Sequence, residues 1–279
     1  MAATARPSDA LRAGVKRGLA RMPRARSGAP SGATVLIYHR VGGDSPDELD
    51  VTVADFTAQL DVLAALGTGP GGVVGLDAAV DRLRRGDPTG STVITFDDGF
   101  ADLYRHAWPR LRERGLPFTV YLTAGRVGTT MSWPGSTATA TAAPALTWEQ
   151  LAEMVGSGLC EVANHTLSHP RPELLTSTEL DACDELIHRH LGVRTRHFAY
   201  TWGVPVPRME AALRARYRTA ATGAVGRNRP GGDPMRLHRV PVRRTDPLDF
   251  FRAKLAGGLL PERLYAGIVR TAKAVGARA

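Results

Sequence analysis

Thr95-Phe96-Asp97-Asp98-Gly99-Phe100 is the most informative segment of this 279-residue chain. The β-branched and apolar residues 92–96 predict a buried strand, and two carboxylates follow where that strand ends. Gly99 permits a tight turn after them. Ligands of parallel α/β sheets lie at the carboxyl ends of the strands, so the stretch predicts such a sheet with a site at its edge. Taken alone, an Asp-Gly turn with two solvated acids explains the same residues.

The sequence on both sides of this stretch alternates between short apolar runs and helical patterns. Strands are predicted at 35–38, 92–96, 118–122, 159–162, 197–200 and 240–242. Helices are predicted between them, for example at 56–66, 103–114 and 178–191. At least six strand-helix units therefore fit one α/β domain with a parallel sheet, for which a barrel is the natural closure. The domain spans 33–279 and ends in an amphipathic helix over 259–275, in which the inward-facing residues are Leu264, Ile268 and Val275.

Residues 1–32 precede this domain as a basic arm that is expected to be flexible. Its first 30 residues carry seven Arg or Lys against one Asp, so most of the formal net charge of +9 belongs to the arm. A basic amphipathic helix here would make weak contact with a membrane surface, through the apolar residues at helical spacing, Leu11, Val15, Leu19 and Met22. A solvated or loosely docked tail is the other interpretation. Because the rest of the chain is only weakly basic, no nucleic-acid partner is expected.

Location and redox chemistry are predicted mainly by what the sequence lacks. No run of eighteen or more apolar residues predicts a membrane-spanning helix, and no apolar segment with a cleavage site predicts a secretory signal. A cytoplasmic location is therefore expected, with peripheral membrane contact through the arm as a variant. Cys160 and Cys183 form no CxxC motif and are expected to be buried thiols.

His165-Thr166-Leu167-Ser168-His169 follows the strand predicted at 159–162. Histidines at i and i+4 face the same way on a helical turn, which lets two imidazoles reach one metal ion. With an Asp from a neighbouring strand end they predict a three-ligand site with open positions, an arrangement typical of catalytic metals. Asp97 and Asp98 cannot both be ionised cheaply, because like charges at close range raise one of the two pKa values. A divalent cation would supply the counter-charge that keeps both ionised.

His39 ends the first predicted strand, in Ile37-Tyr38-His39-Arg40, where a barrel mouth would place it. Histidine is suited to donating a proton near neutral pH. A structural role is the usual explanation for a single histidine. The remaining histidines have no such setting and are expected to be surface or core residues; they stand at 106, 188, 190, 197 and 238.

With these residues assembled, the chain resembles the polysaccharide deacetylase family, also called carbohydrate esterase family 4. The family's first motif, Thr-Phe-Asp-Asp-Gly, stands unchanged at 95–99, and its second, His-Ser/Thr-x-x-His, is met at 165–169. The resemblance covers residues 33–245 and implies a distorted (β/α)7–8 barrel in a single domain. It implies that Asp97 is the general base. The implied metal ligands are Asp98, His165 and His169.

The resemblance also implies that His39 is the general acid. The family's Leu-x-His motif, whose His is that acid, usually lies near the C-terminus. Ile37-Tyr38-His39 looks like this motif moved to the front, as in circularly permuted members that include poly-N-acetylglucosamine deacetylases.

The third family motif is altered in this chain. In residues 198–203, Ala199 stands where the family has Arg, and Thr201 stands where Pro is usual. The Arg that steadies the base would then come from elsewhere. Arg239 and Arg196 are the two candidates.

The resulting prediction is a metal-dependent hydrolase that removes N-acetyl groups from a carbohydrate and releases acetate. The substrate would be a polysaccharide, an oligosaccharide or a glycan precursor. Tyr200, Trp202 and Arg239 are expected to bind or orient it, with a backbone N–H near Trp202 holding the oxyanion. Zn²⁺ fits the mixed nitrogen and oxygen ligands best, and Co²⁺, Ni²⁺ or Fe²⁺ fit the same site.

Other functions remain open at this point. The altered third motif favours, as an alternative, a degenerate deacetylase barrel that binds glycan without catalysis. A non-haem iron oxygenase also uses two histidines and one carboxylate, but it would not require a second Asp beside the first. A nucleic-acid-binding role is suggested by charge alone.

Overall fold

Parallel strands form one curled sheet, with helices flanking it. The structure is a computed structural model that describes residues 7–20, 31–133, 136, 143–257, 259–260 and 262–265. The strands are β1 Ala33–Tyr38, β2 Arg40–Val41, β3 Asp50–Val51, β4 Ser91–Asp98, β5 Phe118–Leu122, β6 Cys160–Asn164, β7 His197–Ala199, β8 Thr219–Ala221 and β9 Val240–Pro241. The helices are α1 Pro7–Ala20, α2 Val53–Ala64, α3 Leu76–Arg84, α4 Trp108–Glu113, α5 Trp148–Gly156, α6 Ser177–Leu191, α7 Glu210–Arg216 and α8 Leu248–Leu255.

The segment that contains β9 joins the two edges of the sheet. The strand order is β8-β7-β6-β5-β4-β1-β9 with parallel pairs throughout, while β2 and β3 pair separately. Leu237, just before β9, pairs with Ala221 of β8, and Val240 pairs with Leu36 of β1. The predicted fold, a distorted (β/α) barrel in one domain, is confirmed by this curled parallel sheet.

Both faces of the sheet are covered, which explains why its strands read as continuous apolar runs. Every residue of β1 and β4 is buried. Large aromatic residues such as Phe96 and Phe118 pack beneath the outer helices. The inner face carries small side chains, Ala163 and Ala199 among them, and these pack with Tyr121 and with α3. These small side chains leave space inside the curled sheet for polar groups near each end of its strands.

The N-terminal segment is helical over its described part, α1, which packs against α8. Its contact face is centred on Lys16, whose buried ammonium donates to Asp246 Oδ1 at 2.8 Å. Leu11 and Val15 of the predicted apolar stripe are exposed, and Met22 lies outside the described residues. Leu19 packs against Phe250 and Tyr265, so the predicted stripe is divided between solvent and the surface of the domain. Membrane contact through the arm is not supported. Within the described ranges, no helix has the length and apolar character needed to span a bilayer.

Most of the predicted C-terminal helix lies outside the described residues, including Ile268 and Val275. Leu264 is described and is exposed, so its predicted inward orientation is wrong. The buried side chains of this segment include Glu262 and Tyr265. Glu262 faces inward because it forms ion pairs with basic side chains beneath it.

Candidate active site

The end of β4 turns sharply and presents two buried carboxylates, Asp97 and Asp98. Asp98 has a φ of 75° and Gly99 a φ of 100°, a left-handed conformation that strains a non-glycine residue. A Cβ on Gly99 would approach Leu122 Cδ1 to 2.7 Å, so the Leu122 side chain would have to shift, and the positive φ is the stronger requirement for glycine. The Thr-Phe-Asp-Asp-Gly motif therefore forms a strained strand end with both acids at the barrel mouth.

His165 and His169 lie in the loop after β6, so the helical turn predicted for them is wrong. Thr166 has a φ of 74° and His169 a φ of 59°, which no α-helix accommodates. Asn164 Oδ1 accepts from Thr166 N at 2.7 Å, and Thr166 Oγ1 accepts from His169 N at 3.0 Å. These side-chain bonds to the backbone fold the loop back and bring both imidazoles beside Asp98.

Asp98, His165 and His169 have the donor spacing of a metal site. Asp98 Oδ1 lies 3.4 Å from His165 Nε2 and 3.6 Å from His169 Nε2. Tetrahedral ligands bound to one ion at about 2.0–2.2 Å stand roughly 3.3–3.6 Å apart. Asp98 Oδ1 is also buried without a hydrogen-bond partner, a state that a cation would relieve. The three residues therefore fit a divalent ion.

The protonation of both rings also suits a metal. His165 Nδ1 lies 2.9 Å from the carbonyl oxygen of Ala199, which can only accept, so Nδ1 carries the proton and Nε2 offers a lone pair. Burial lowers the pKa of His165, but the two aspartates outweigh burial and raise it, so a proton and an ion compete for Nε2. Burial lowers the pKa of His169 to about 4, although the charge of Asp98 opposes this shift. The ring of His169 is therefore neutral near pH 7.

Asp97 contacts a buried arginine from a distant part of the chain. Arg239 is 1% exposed and donates from Nη1 to Asp97 Oδ1 at 2.6 Å and from Nε to the carbonyl oxygen of Thr222 at 3.0 Å. Burial raises the pKa of Asp97, but the charges of Arg239 and of nearby histidines outweigh burial, so the pKa lies below its ordinary value. Arg196, the other candidate for this contact, pairs instead with Asp77 of α3, and that candidate is wrong.

His39 directly follows β1, beside the end of β4. Tyr38 of β1 pairs with Phe96 of β4, so the next residues, His39 and Asp97, lie side by side on the same face of the sheet. His39 Nδ1 is buried without a hydrogen-bond partner. Burial raises the pKa of Asp97 and of Asp98. Positive charge on His39 is among the interactions that outweigh burial and hold both pKa values below their ordinary values. The structure therefore brings His39 to the two carboxylates.

Trp202 lies beside the histidines, whereas Tyr200 does not. Trp202 is 40% exposed with a φ of 61°, and its ring centroid is 5.5 Å from that of His169. Tyr200 is fully buried and packs on Phe198 in the outer core, so its predicted substrate contact is wrong. Side chains alternate across a strand, so Phe198 and Tyr200 share the outer face while Ala199 between them faces the interior.

Trp133 is a site residue that the sequence did not indicate. Its ring stacks on His169 with centroids 4.4 Å apart and 25° between the planes. Trp133 comes from the segment after β5, which is rich in Thr and Ala, and it packs on Phe100 just past the Asp98 turn. No periodic pattern marks this segment, so only the tertiary packing reveals the contact.

Known proteins share this fold, and a family model matches the central part of the sequence. The polysaccharide deacetylase family model matches residues 84–220, a range that contains Asp97, Asp98, His165 and His169. IcaB from Ammonifex degensii is 31% identical, with a TM-score of 0.68, and the match covers 82% of this chain and 97% of that chain. This chain belongs to the polysaccharide deacetylase family.

Further relatives support the polysaccharide deacetylase fold. The Streptococcus pyogenes deacetylase PplD, solved in complex with acetate, has a TM-score of 0.66 at 23% identity, over 80% of this chain and 98% of that chain. YxkH of Bacillus subtilis (strain 168), which carries a polysaccharide deacetylase designation, is 26% identical over 223 residues, which are 76% of this chain and 72% of that protein. His39 and Arg239 lie outside the range that the family model matches.

Proposed function

We propose that this polysaccharide deacetylase is a metal-dependent hydrolase that removes N-acetyl groups from a carbohydrate and releases acetate. One observation carries the proposal: the two adjacent acids have different partners. Asp97 Oδ1 lies 2.6 Å from Arg239, while Asp98 Oδ1 lies 3.4 Å and 3.6 Å from two histidine nitrogens. Adjacent carboxylates in different environments can take different catalytic roles at one pH.

Asp98, His165 and His169 would hold the ion. Zinc suits these mixed nitrogen and oxygen donors best, and cobalt, nickel or ferrous iron suit them as well. When bound, such an ion polarises the acetamide carbonyl and acidifies the attacking water. Three protein ligands leave room for water and substrate, as a catalytic site requires.

Asp97 acts as the general base in this proposal. Its Oδ1 is engaged by Arg239, which leaves Oδ2, 4.0 Å from His165 Nε2, to accept the proton of the attacking water. Holding one oxygen orients the other, and correct orientation lowers the barrier of the proton transfer. Arg239 is therefore a positioning residue for the base.

His39 acts as the general acid. Attack of water on the acetamide carbon leads to cleavage of the C–N bond, and the nitrogen must gain a proton to leave as an amine. His39 directly follows β1 and lies beside Asp97, and its Nδ1 has no hydrogen-bond partner. It can therefore supply that proton, and the products are acetate and a free amino sugar.

The proposed substrate is an N-acetylated polysaccharide, oligosaccharide or glycan precursor. Trp202 exposes its ring beside His169, and the Arg171 guanidinium lies 5.6 Å from the centre of that ring. An exposed aromatic plane can pack on the apolar face of a sugar ring, with a cationic rim for its hydroxyl groups. Trp202 would thus place a sugar next to the metal ligands.

Glycan binding without catalysis is the alternative, motivated by the altered third motif. Arg239 disfavours that alternative. Ala199 occupies the motif position where the family has Arg, and Arg239 supplies a guanidinium to Asp97 from another part of the chain. An experiment that separates binding from turnover decides between the two functions.

The test is acetate release from N-acetylglucosamine oligomers by the full chain, first stripped of metal and then loaded with one ion at a time. We expect activity only with a divalent ion. Asp97→Asn and His39→Ala should each lower kcat by about 10²–10⁴-fold, the usual contribution of a general base or acid.

Matched controls are Asp249→Asn and His188→Ala, which change exposed side chains on α8 and α6. Both should keep wild-type activity. Full activity in Asp97→Asn would refute the assigned mechanism. Oligomer binding with no acetate release at any metal loading would establish the binding-only alternative.

A further inference from the structure

A second cluster of metal-ligating side chains lies at the opposite end of the sheet from Asp98. His197 begins β7, Glu161 is the second residue of β6, and Asp77 is the second residue of α3. One nitrogen or oxygen of each lies within 4.8 Å of the others. His197 was expected to be an ordinary surface or core residue, yet it is fully buried with its Nε2 turned toward two carboxylates.

The donor atoms of this cluster are spaced like those of the proposed catalytic site. His197 Nε2 lies 3.2 Å from Asp77 Oδ1 and 3.3 Å from Glu161 Oε1. The corresponding distances around Asp98 are 3.4 Å and 3.6 Å. Both sets match the roughly 3.3 Å that separates tetrahedral ligands bound at about 2.0 Å.

One threonine near this cluster orients the His197 ring, and a second has a buried hydroxyl without a hydrogen-bond partner. His197 Nδ1 lies 2.8 Å from Thr219 Oγ1, and a contact of this kind on the second ring nitrogen orients a histidine that binds a metal. Thr119 pairs with Glu161 across β5 and β6, so both side chains project from the same face. Thr119 Oγ1 is fully buried and makes no hydrogen bond. It therefore points to a polar ligand at this end of the interior.

The charge on Glu161 lacks a permanent counter-charge. Asp77 is paired with Arg196 through Oδ2 and with Arg218 through Oδ1, so the oxygen that faces His197 Nε2 would be shared between Arg218 and the ion. Among the described residues, the single ion pair that Glu161 forms is with His197, and that pair exists only when the imidazole is protonated. A bound cation would balance this carboxylate while the imidazole stays neutral.

We propose that Asp77, Glu161 and His197 form a second site for a divalent transition metal, with a structural role. One histidine and two carboxylates are typical ligands of zinc and of its neighbours in the first transition series. Asp77 and Glu161 are 25% and 26% exposed, so an ion can reach the site from solvent. The ion would join the start of α3 to β6 and β7 and so hold this helix against the inner face of the sheet. The proposal does not depend on the deacetylase function.

The test counts zinc ions bound by the full chain without a purification tag, after chelator treatment and equilibrium dialysis against ZnCl₂ at pH 7.5. The wild type should bind two ions per chain, and Glu161→Gln should bind one. His165→Ala/His169→Ala, which removes the proposed catalytic ligands, should still bind one ion, and zinc should raise its Tm by about 5 °C. Adding Glu161→Gln to that variant should abolish both effects.

Asp77→Asn serves as a second variant in case Glu161→Gln folds poorly, and the Tm in chelator shows whether each variant is folded. His188→Ala, on the exposed face of α6, is the control and should keep both ions. The proposal is overturned if the variant without catalytic ligands binds no zinc at 100-fold excess, or if folded Glu161→Gln binds as much zinc as the wild type. It is also overturned if NMR in saturating zinc shows both nitrogens of His197 protonated.

Discussion

Arg239→Met is expected to destabilise this polysaccharide deacetylase far more than loss of a surface arginine would. Arg239 is 1% exposed, and its Nη1 lies 2.6 Å from Asp97 Oδ1, which is itself buried. Methionine fills similar space but leaves the carboxylate without a partner. Removing one member of a buried ion pair typically costs about 3–5 kcal/mol in the free energy of unfolding. The lost bond to the carbonyl oxygen of Thr222 adds about 1 kcal/mol.

Urea unfolding of four chains measures this coupling: wild type, Arg239→Met, Asp97→Asn and the double variant. Asparagine carries no charge, so removing Arg239 from the Asp97→Asn chain should cost less. We expect the two changes to be non-additive by at least ~2 kcal/mol. In the acetate-release assay, Arg239→Met should lower kcat with little change in KM, because Arg239 acts by positioning Asp97 and not by binding the sugar.

Arg236→Met is the matched control for this prediction. Arg236 lies three residues earlier and pairs with Glu210 at 2.7 Å, but its side chain is 32% exposed. Exposed pairs of this kind are worth roughly 0–1 kcal/mol. The reasoning is refuted if Arg239→Met costs no more than Arg236→Met, or if its cost adds to that of Asp97→Asn within about 0.5 kcal/mol.

Two further predictions concern the rim of the site and the N-terminal helix. Trp202→Ala should raise KM for N-acetylglucosamine oligomers about tenfold, equal to ~1.4 kcal/mol, with kcat nearly constant, while Trp202→Phe keeps most of the affinity; an unchanged KM would exclude the proposed sugar contact. Burial raises the pKa of Asp246, but Lys254 and Lys16 outweigh burial and lower it from 3.8 to about 2. Because this pKa is depressed in the folded state, the ion pairs of Asp246 with the two lysines stabilise the protein above about pH 4. About 2 kcal/mol of this stabilisation is lost as the pH falls from 4 through 2. Urea unfolding at several pH values tests this, and equal acid sensitivity in wild type and Asp246→Asn would contradict it.

The strands were largely predictable because their apolar runs are long enough to show a pattern. The strand predicted at 118–122 is found at Phe118–Leu122, and the one predicted at 197–200 is found at His197–Ala199. β8 was not predicted, since Thr219–Ala221 is only three small residues long and shows no periodicity. The predicted strands follow from residues adjacent in sequence, whereas the short strand β8 depends on pairing with other strands.

The candidate site was predictable in its residue types and not in its local geometry. The spacing of His165 and His169 indicated a shared ion but also a helical turn, whereas the structure has a loop with two left-handed residues. Spacing alone cannot distinguish these arrangements, because both bring the rings to one side. The loop is selected by side-chain bonds to the backbone, such as that of Asn164 with Thr166.

The sequence alone predicted the alternation of strands and helices, the tight turn at Gly99 and the residues that cluster around Asp98. These depend on periodicity and on the chemistry of a few adjacent positions. The folded structure was needed to show that Arg239 and not Arg196 contacts Asp97 and that Trp133 stacks on His169. It also shows that Asp77, Glu161 and His197 meet at the other end of the sheet. Arg239 reaches Asp97 because the β9 segment packs beside β1, whereas the other contacts depend on how loops and α3 pack across neighbouring strands. No local pattern encodes which of these distant residues meet.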